Sequence, residues 1–308
     1  MSGSRHGRGR RRALLSVIAV GISAGACSTP SRPADSTLAR PLSETAPVQS
    51  HGHLHSIRAA GRVRIGVKFD VPLFGLRDPS SAKLTGFDIE IARAIARSLF
   101  PEVRHAAIDT KIDFSEAISK NRERFLQDDV VDLVVSTYTI NDARKQLVDF
   151  AGPYYVAGQD ILAHRADVES GAIRGIADVN GRRVCSVTGS TSLANLRAGA
   201  PRALTSDSKD KYSQCFEALR TGAVDAMTTD DEILLGLAQG HPEFALTGNP
   251  FHTEPYGVGI AKGDDELRAF VNDVLDAMFT DGSWRRAFLA TVGTTGAIAP
   301  NPPALDRY

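Results

Sequence analysis

The chain has 308 residues, with 36 Lys and Arg against 36 Asp and Glu, so its formal charge at pH 7 is zero with histidine neutral. No global field recruits nucleic acid or an acidic surface, and any charge selectivity has to be local. With 42% hydrophobic residues the chain can bury a sizeable core, as one large domain or as two lobes.

Residues 1–27 combine a basic start, an apolar run from Ala13 to about Ala26, and small residues ahead of Cys27. The run is short for a membrane span and reads as a secretory signal. Its end, AGAC, resembles the lipobox of bacterial lipoproteins with Ala24 in place of the more usual leucine, so Cys27 is the expected lipid anchor. Residues 28–57, rich in Ser, Thr, Pro and Ala, read as a flexible tether between membrane and domain. The HGHLH run at its end offers His51, His53 and His55 but no preorganised shell, so no metal or other cofactor is expected. With Cys27 set aside, only Cys185 and Cys215 remain in an exported chain, and they are expected to pair rather than to stay as two buried thiols.

From Arg62 onward short β-like runs alternate with amphipathic helices. RVRIGVKF is a strand, a turn-rich segment follows, and DIEIARAIARSLF places Ile91, Ala92, Ile95, Ala96 and Leu99 on one helical stripe, with Asp88 suited to the N-cap. Helix ISKNRERFLQ, strand VVDLVVST and the loop STYTINDARKQLVDF come next. This order predicts an α/β sheet whose ligands bind at strand ends. A weaker echo in the second half, helix KYSQCFEALRTG leading into AVDAMTTDDEILLGLAQG, repeats the Val131-Asp132 pair as Val224-Asp225 and suggests a second lobe of like build. GPYYVAGQDILAHR and EPYGVGIAK are glycine-bearing strands that can cross between the lobes. The expected division is residues 58–155 with 258–295 in one lobe, 156–257 in the other, and 296–308 as a loose, proline-rich tail.

In this order, the passages GVKFDVPLFGLRDP, LTGFDIEIARAIA, NRERFLQDDVVDLVVSTYTINDARKQLVDFAGPYY, VCSVTGSTS, YSQCFEALRTGAVDAMTTDDEIL and PYGVGI resemble the extracytoplasmic solute-binding proteins of polar amino-acid ABC importers, family 3. The resemblance runs from about Arg58 to Ala290 and is nearest to actinobacterial glutamate-binding lipoproteins. It implies a two-lobed type II periplasmic-binding fold with two hinge crossings, a monomer held to the outer face of the membrane by its lipid anchor. The lobes would close on a free amino acid, and other chains would supply the permease and the ATPase.

An α-amino acid brings a carboxylate and an ammonium that must both be desolvated on closure, so each needs a partner. Arg144 suits the α-carboxylate, because a guanidinium fork makes two charge-assisted hydrogen bonds where lysine supplies a point charge. Its alternative use is as a solvated helix charge. Thr137 and Thr139 match family positions on the same loop, and Thr188 and Thr191 match the second lobe's loop at a helix start, where free N–H groups favour an anion or simply cap the helix. Asp230 matches the aspartate that holds the α-ammonium. Its alternative is an N-cap, a task Asp231 can take instead.

For the ligand side chain the resemblance adds two cations, Lys68 and Arg122, with Ser119, Tyr212 and Thr188 as polar neighbours. If neither cation turns to solvent or pairs with Asp70, Asp113 or Glu123, they favour a second carboxylate, and so glutamate or aspartate over an amide. Phe69 is the preferred apolar contact, with Leu73 and Phe74 as alternatives. An enzyme on the same fold, a dehydratase or a lytic transglycosylase, would need a positioned acid or base. Glu90, Glu116, His105 and Asp132 are available, but none sits in a recognisable catalytic motif. A sensory role for the same binding lobes is the third reading.

Overall fold

In the computed structural model the described residues are 52–205 and 208–308. The expected signal sequence with Cys27, His51 and most of the expected tether lie outside them. One mixed sheet runs through the described chain in the order Ile112–Glu116, Val63–Val67, Leu133–Val134, His252–Ala261, Val148–His164, Ala226–Asp230 and Val184–Cys185, with Phe244–Leu246 added beside Val148–His164. The first three are parallel; Val63–Val67 and Leu133–Val134 are largely buried, as inner parallel strands require, while Ile112–Glu116 forms the more polar edge.

Two strands make this sheet into a two-lobed type II periplasmic-binding fold. Val148–His164 has 17 residues, about 55 Å when extended, and pairs antiparallel with the return strand His252–Ala261 from Val148–Ala261 to Gln159–His252. At one end the return strand also pairs with Leu133–Val134, and at the other the long strand pairs with Ala226–Asp230. The two crossings expected from GPYYVAGQDILAHR and EPYGVGIAK are therefore present. The ladder is irregular between Tyr256 and Val258, where the return strand passes from one lobe to the other. Around the crossings Phe74, Phe87, Tyr154, Tyr155, Tyr256, Trp284 and Phe288 form one edge-to-face and stacked aromatic set, with Trp284 Nε1 donating to Tyr154 O at 2.7 Å.

The structure corrects three expectations. Helix His53–Ala60 takes in the last residues assigned to the tether and buries Leu54 and Ile57 in the core. The carboxy-terminal segment is held down: Asp306 N donates to Gly152 O at 2.7 Å, Phe150 N donates to the Tyr308 hydroxyl at 2.9 Å, and the Tyr308 ring lies between Lys145 at 4.2 Å and Arg268 at 4.3 Å. Asp88 is not the cap of helix Phe87–Leu99, whose buried stripe is otherwise as expected. Gly86 precedes the helix, and the Asp88 carboxylate is used elsewhere. Among the described residues no helix is long and apolar enough to cross a membrane.

Cys185 and Cys215 are bridged, with Cα atoms 5.4 Å apart, tying strand Val184–Cys185 to helix Tyr212–Arg220. The bridge closes a loop with a sequence separation of 30, so in the chain-entropy model removing it with Cys185→Ala and Cys215→Ala costs about 3 to 4 kcal/mol of stability, measurable by urea unfolding. His53 anchors its helix through Asp132 at 3.1 Å and Asp264 at 2.8 Å, and these hydrogen bonds, Asp132 first, push its pKa up to about 10. A raised histidine pKa stabilises fully below the unfolded value of 6.5 and loses its contribution as pH climbs through 10. The melting-temperature advantage of the wild-type chain over His53→Gln is therefore expected to be full at about pH 6 and gone above about pH 10.

Candidate ligand-binding site

The loop after strand Leu133–Val134 gets its shape from a buried acid. Thr137 sits at φ 42°, and its N–H donates to Asp88 Oδ2 at 2.8 Å while the Tyr154 hydroxyl donates to Oδ1 at 2.6 Å. Burial pushes the Asp88 carboxyl up to about 6, against those two bonds. The Thr137 N–H is thus committed, but its buried hydroxyl has no hydrogen-bond partner among the described residues.

Seven residues on, Arg144 lies in the short helix Asp142–Lys145, its N–H donating to the capping Asn141 side chain. Its guanidinium is buried, donating to Thr139 O at 2.7 Å and to Gly189 O in the other lobe at 3.2 Å, with Nε 3.3 Å from Glu123. Burial, and then the nearby Arg122, lower it to about 10. The Tyr138 ring separates the two guanidiniums, 4.3 Å from that of Arg122 and 5.0 Å from that of Arg144. It reaches that position because Gly259 has no side chain, and a Cβ there would lie 2.7 Å from the ring.

In the second lobe Ser190 caps helix Thr191–Gly199. The Thr191 hydroxyl donates to Glu254 Oε2 at 2.7 Å and lies 3.4 Å from the Thr139 hydroxyl across the cleft. Asp230, at the end of strand Ala226–Asp230, makes no capping bond. Asp231 accepts from the N–H groups of Glu232 and Gly158 instead. The Asp230 carboxylate accepts from the Tyr256 hydroxyl and from Ser192 Oγ. Burial and then the Glu254 charge push it up to about 7, a carboxyl that an incoming cation would ionise fully.

Lys68, Ser119, Arg122 and Tyr212 come together as expected, all buried. Lys68 Nζ donates to Ser119 Oγ at 2.9 Å and lies 5.5 Å from the Tyr212 ring, contributed by the other lobe. Arg122 donates to the carbonyls of Ser119, Ser136 and Thr137. Each carboxylate considered as an alternative partner is engaged elsewhere: Asp70 with Ser213, Asp113 with Arg62, Glu123 with Arg144. Burial, and then Arg122, lower Lys68 to about 7. The structure leaves two expected residues out of this set. Thr188 is exposed and contributes a backbone bond to Lys209, and Phe69 is half-buried against the Arg77 guanidinium at 5.2 Å. Phe74 belongs to the aromatic core.

The rim of the cleft is also joined. Lys120 pairs with Asp210 at 2.7 Å, Glu116 with Lys211 at 2.6 Å, and Asp70 accepts from Ser213 N and Oγ at 3.1 Å. Gly189, at φ 78°, lets the lobes meet, since a Cβ there would lie 2.6 Å from Lys120 Cα. Of the candidate catalytic groups, Glu116 belongs to this rim, Glu90 pairs with Arg93, Asp132 pairs with Arg64, and His105 is exposed on a short turn. His53, Asp129 and Asp132 stand close enough to share a metal ion and line a separate surface cavity of about 430 Å³, but Arg64 bridges both carboxylates there.

Sequence reading did not single out Glu254, Tyr256, Ser192 and Tyr138, and it weighed Glu123 as a partner for Lys68 or Arg122 rather than for Arg144. Glu254 and Tyr256 lie in EPYGVGI, legible as a crossing strand but without a signal for which side chains face the cleft.

The family model for bacterial extracellular solute-binding proteins, family 3, matches residues 63–289. The ABC transporter glutamine-binding protein GlnH of Bacillus subtilis strain 168 is 38% identical over 232 residues, 75% of this chain and 81% of that one. The glutamate-binding protein GluB of Corynebacterium efficiens is 36% identical over 244 residues, 77% of this chain and 81% of that one. Among solved structures, the solute receptor for L-cysteine of Neisseria gonorrhoeae superposes with a TM-score of 0.73 at 27% identity, covering 80% of this chain and 97% of that one. The chain belongs to the bacterial extracellular solute-binding proteins of family 3.

Proposed function

We propose that this chain is the amino-acid-binding component of an ABC importer and that its ligand is an acidic amino acid, glutamate ahead of aspartate. It works with permease and ATPase chains, as a monomer anchored through Cys27 outside the membrane, and without catalysis. Arg144, the hydroxyl of Thr137 and the backbone N–H of Thr139 take the α-carboxylate, with Thr191 at the helix start opposite. Asp230 takes the α-ammonium. Lys68 and Arg122, with Ser119 and Tyr212, take the side-chain carboxylate.

The observation that carries the acidic reading is Lys68. It is 1% exposed, its hydrogen bond goes to a neutral hydroxyl, and among the described residues no carboxylate forms an ion pair with it, Asp70, Asp88 and Glu116 acting on it only from a distance. A buried ammonium with so little compensation favours a ligand that brings an anion. One observation favours an amide instead: with its pKa lowered to about 7, Lys68 also has an accessible neutral form. The glutamine- and glutamate-binding names among the relatives match these two readings.

Calorimetric titration of the domain lacking residues 1–51 against glutamate, aspartate, glutamine, asparagine and arginine separates the two readings. Glutamate is expected to bind best, and tighter binding of glutamine would overturn the acidic assignment. Arg144→Ala is expected to weaken every amino acid at least about a hundredfold, whereas Lys68→Met weakens acidic ligands about thirtyfold or more and amides little. Because the free Lys68 titrates near 7, glutamate binding at about pH 8 should take up a proton, visible as a dependence of the heat on buffer ionisation enthalpy and absent in Lys68→Met.

A further inference from the structure

Glu254 is 2% exposed and lies on the return strand opposite Ala157, where the crossings pass through the second lobe. Its two oxygens have different donors: Thr191 Oγ1 at 2.7 Å on Oε2 and Asn195 Nδ2 at 3.1 Å on Oε1. Asn195 also donates to Gln159 Oε1 at 2.9 Å, and Gln159 Nε2 donates to Ser192 O and Thr228 Oγ1, both at 3.0 Å. Both oxygens are therefore held by the helix that starts at Thr191, and Gln159 on the long strand holds Asn195 in turn.

A threonine hydroxyl has a single proton, and a carboxylate at this distance takes it. Thr191 then faces the first lobe with lone pairs alone, so in the 3.4 Å contact between hydroxyls the proton comes from Thr139. We infer that Glu254 is a positioning residue for ligand capture: it holds the proton of Thr191 and so makes that hydroxyl an acceptor for Thr139 when the lobes meet. The same bond means that Thr191 offers an anionic ligand its backbone N–H and not its hydroxyl. Glu254 also gives Asp230 a second negative neighbour on the side assigned to the ammonium.

This inference rests on the assignment of Arg144 and Thr139 to the ligand, and the test separates the two. Glutamate affinity is measured for Thr139→Val, for Glu254→Met and for the double variant, each checked by thermal unfolding. Glu254→Ala replaces the methionine if that variant does not fold. Each single change is expected to weaken binding about five- to tenfold, and the double variant no more than the worse single one, because both break the same proton chain. Glu254→Gln, which keeps an acceptor for Thr191, should stay within about threefold of wild type. Independent losses that multiply in the double variant, or a Gln variant as weak as Met, overturn the role of Glu254. If Arg144→Ala and Thr139→Val both bind normally, the ligand assignment itself falls, and this inference with it.

Discussion

The site depends on a carboxylate that is expected to touch no ligand. Asp88 is wholly buried, and its two oxygens take the N–H of Thr137 and the hydroxyl of Tyr154. It thereby joins three parts of the fold: the start of helix Phe87–Leu99, the loop that presents Thr137 and Thr139, and the long crossing strand. A threonine at φ 42° is costly without a compensating bond, and a buried acid is costly without donors. Each offsets the other, so the ligand loop is set before anything binds.

A second constraint is the crowding of like charge. Lys68, Arg122 and Arg144 are all buried in or beside the cleft. Tyr138 stands between the two guanidiniums, and both are further relieved by backbone carbonyls. Arginine tolerates this because its charge is delocalised and weakly hydrated, whereas lysine yields by lowering its pKa. That difference is why Lys68 suits the specificity role proposed for it: its charge is the one a ligand can most readily change.

Much of the fold was legible from periodicity and from two glycine-bearing strands, because covered parallel strands and crossings leave patterns in adjacent residues. That Arg144, Asp230 and Lys68 would lie buried about the cleft was legible from their position after strands and from resemblance; the roles given them remain the proposal. Counting charges from the sequence, however, left out Glu254 and gave Glu123 and Asp88 other partners than Arg144 and the Thr137 loop, since burial and pairing belong to contacts between distant segments. Thr188 shows the opposite limit: a hydroxyl in the right loop faced outward. The segment 296–308 reads as loose because its prolines and its lack of periodicity conceal Asp306 and Tyr308, whose partners lie on another part of the first lobe.

The rim contacts have a kinetic meaning. Asp210, Lys211 and Ser213, on one short segment held by the Cys185–Cys215 bridge, reach Lys120, Glu116 and Asp70 without involving an amino acid. Release of a captured molecule then has to break these bonds as well as its own. The Lys120–Asp210 pair is half exposed and open to screening by salt, so ionic strength acts on residence time at a place remote from the ligand's charges.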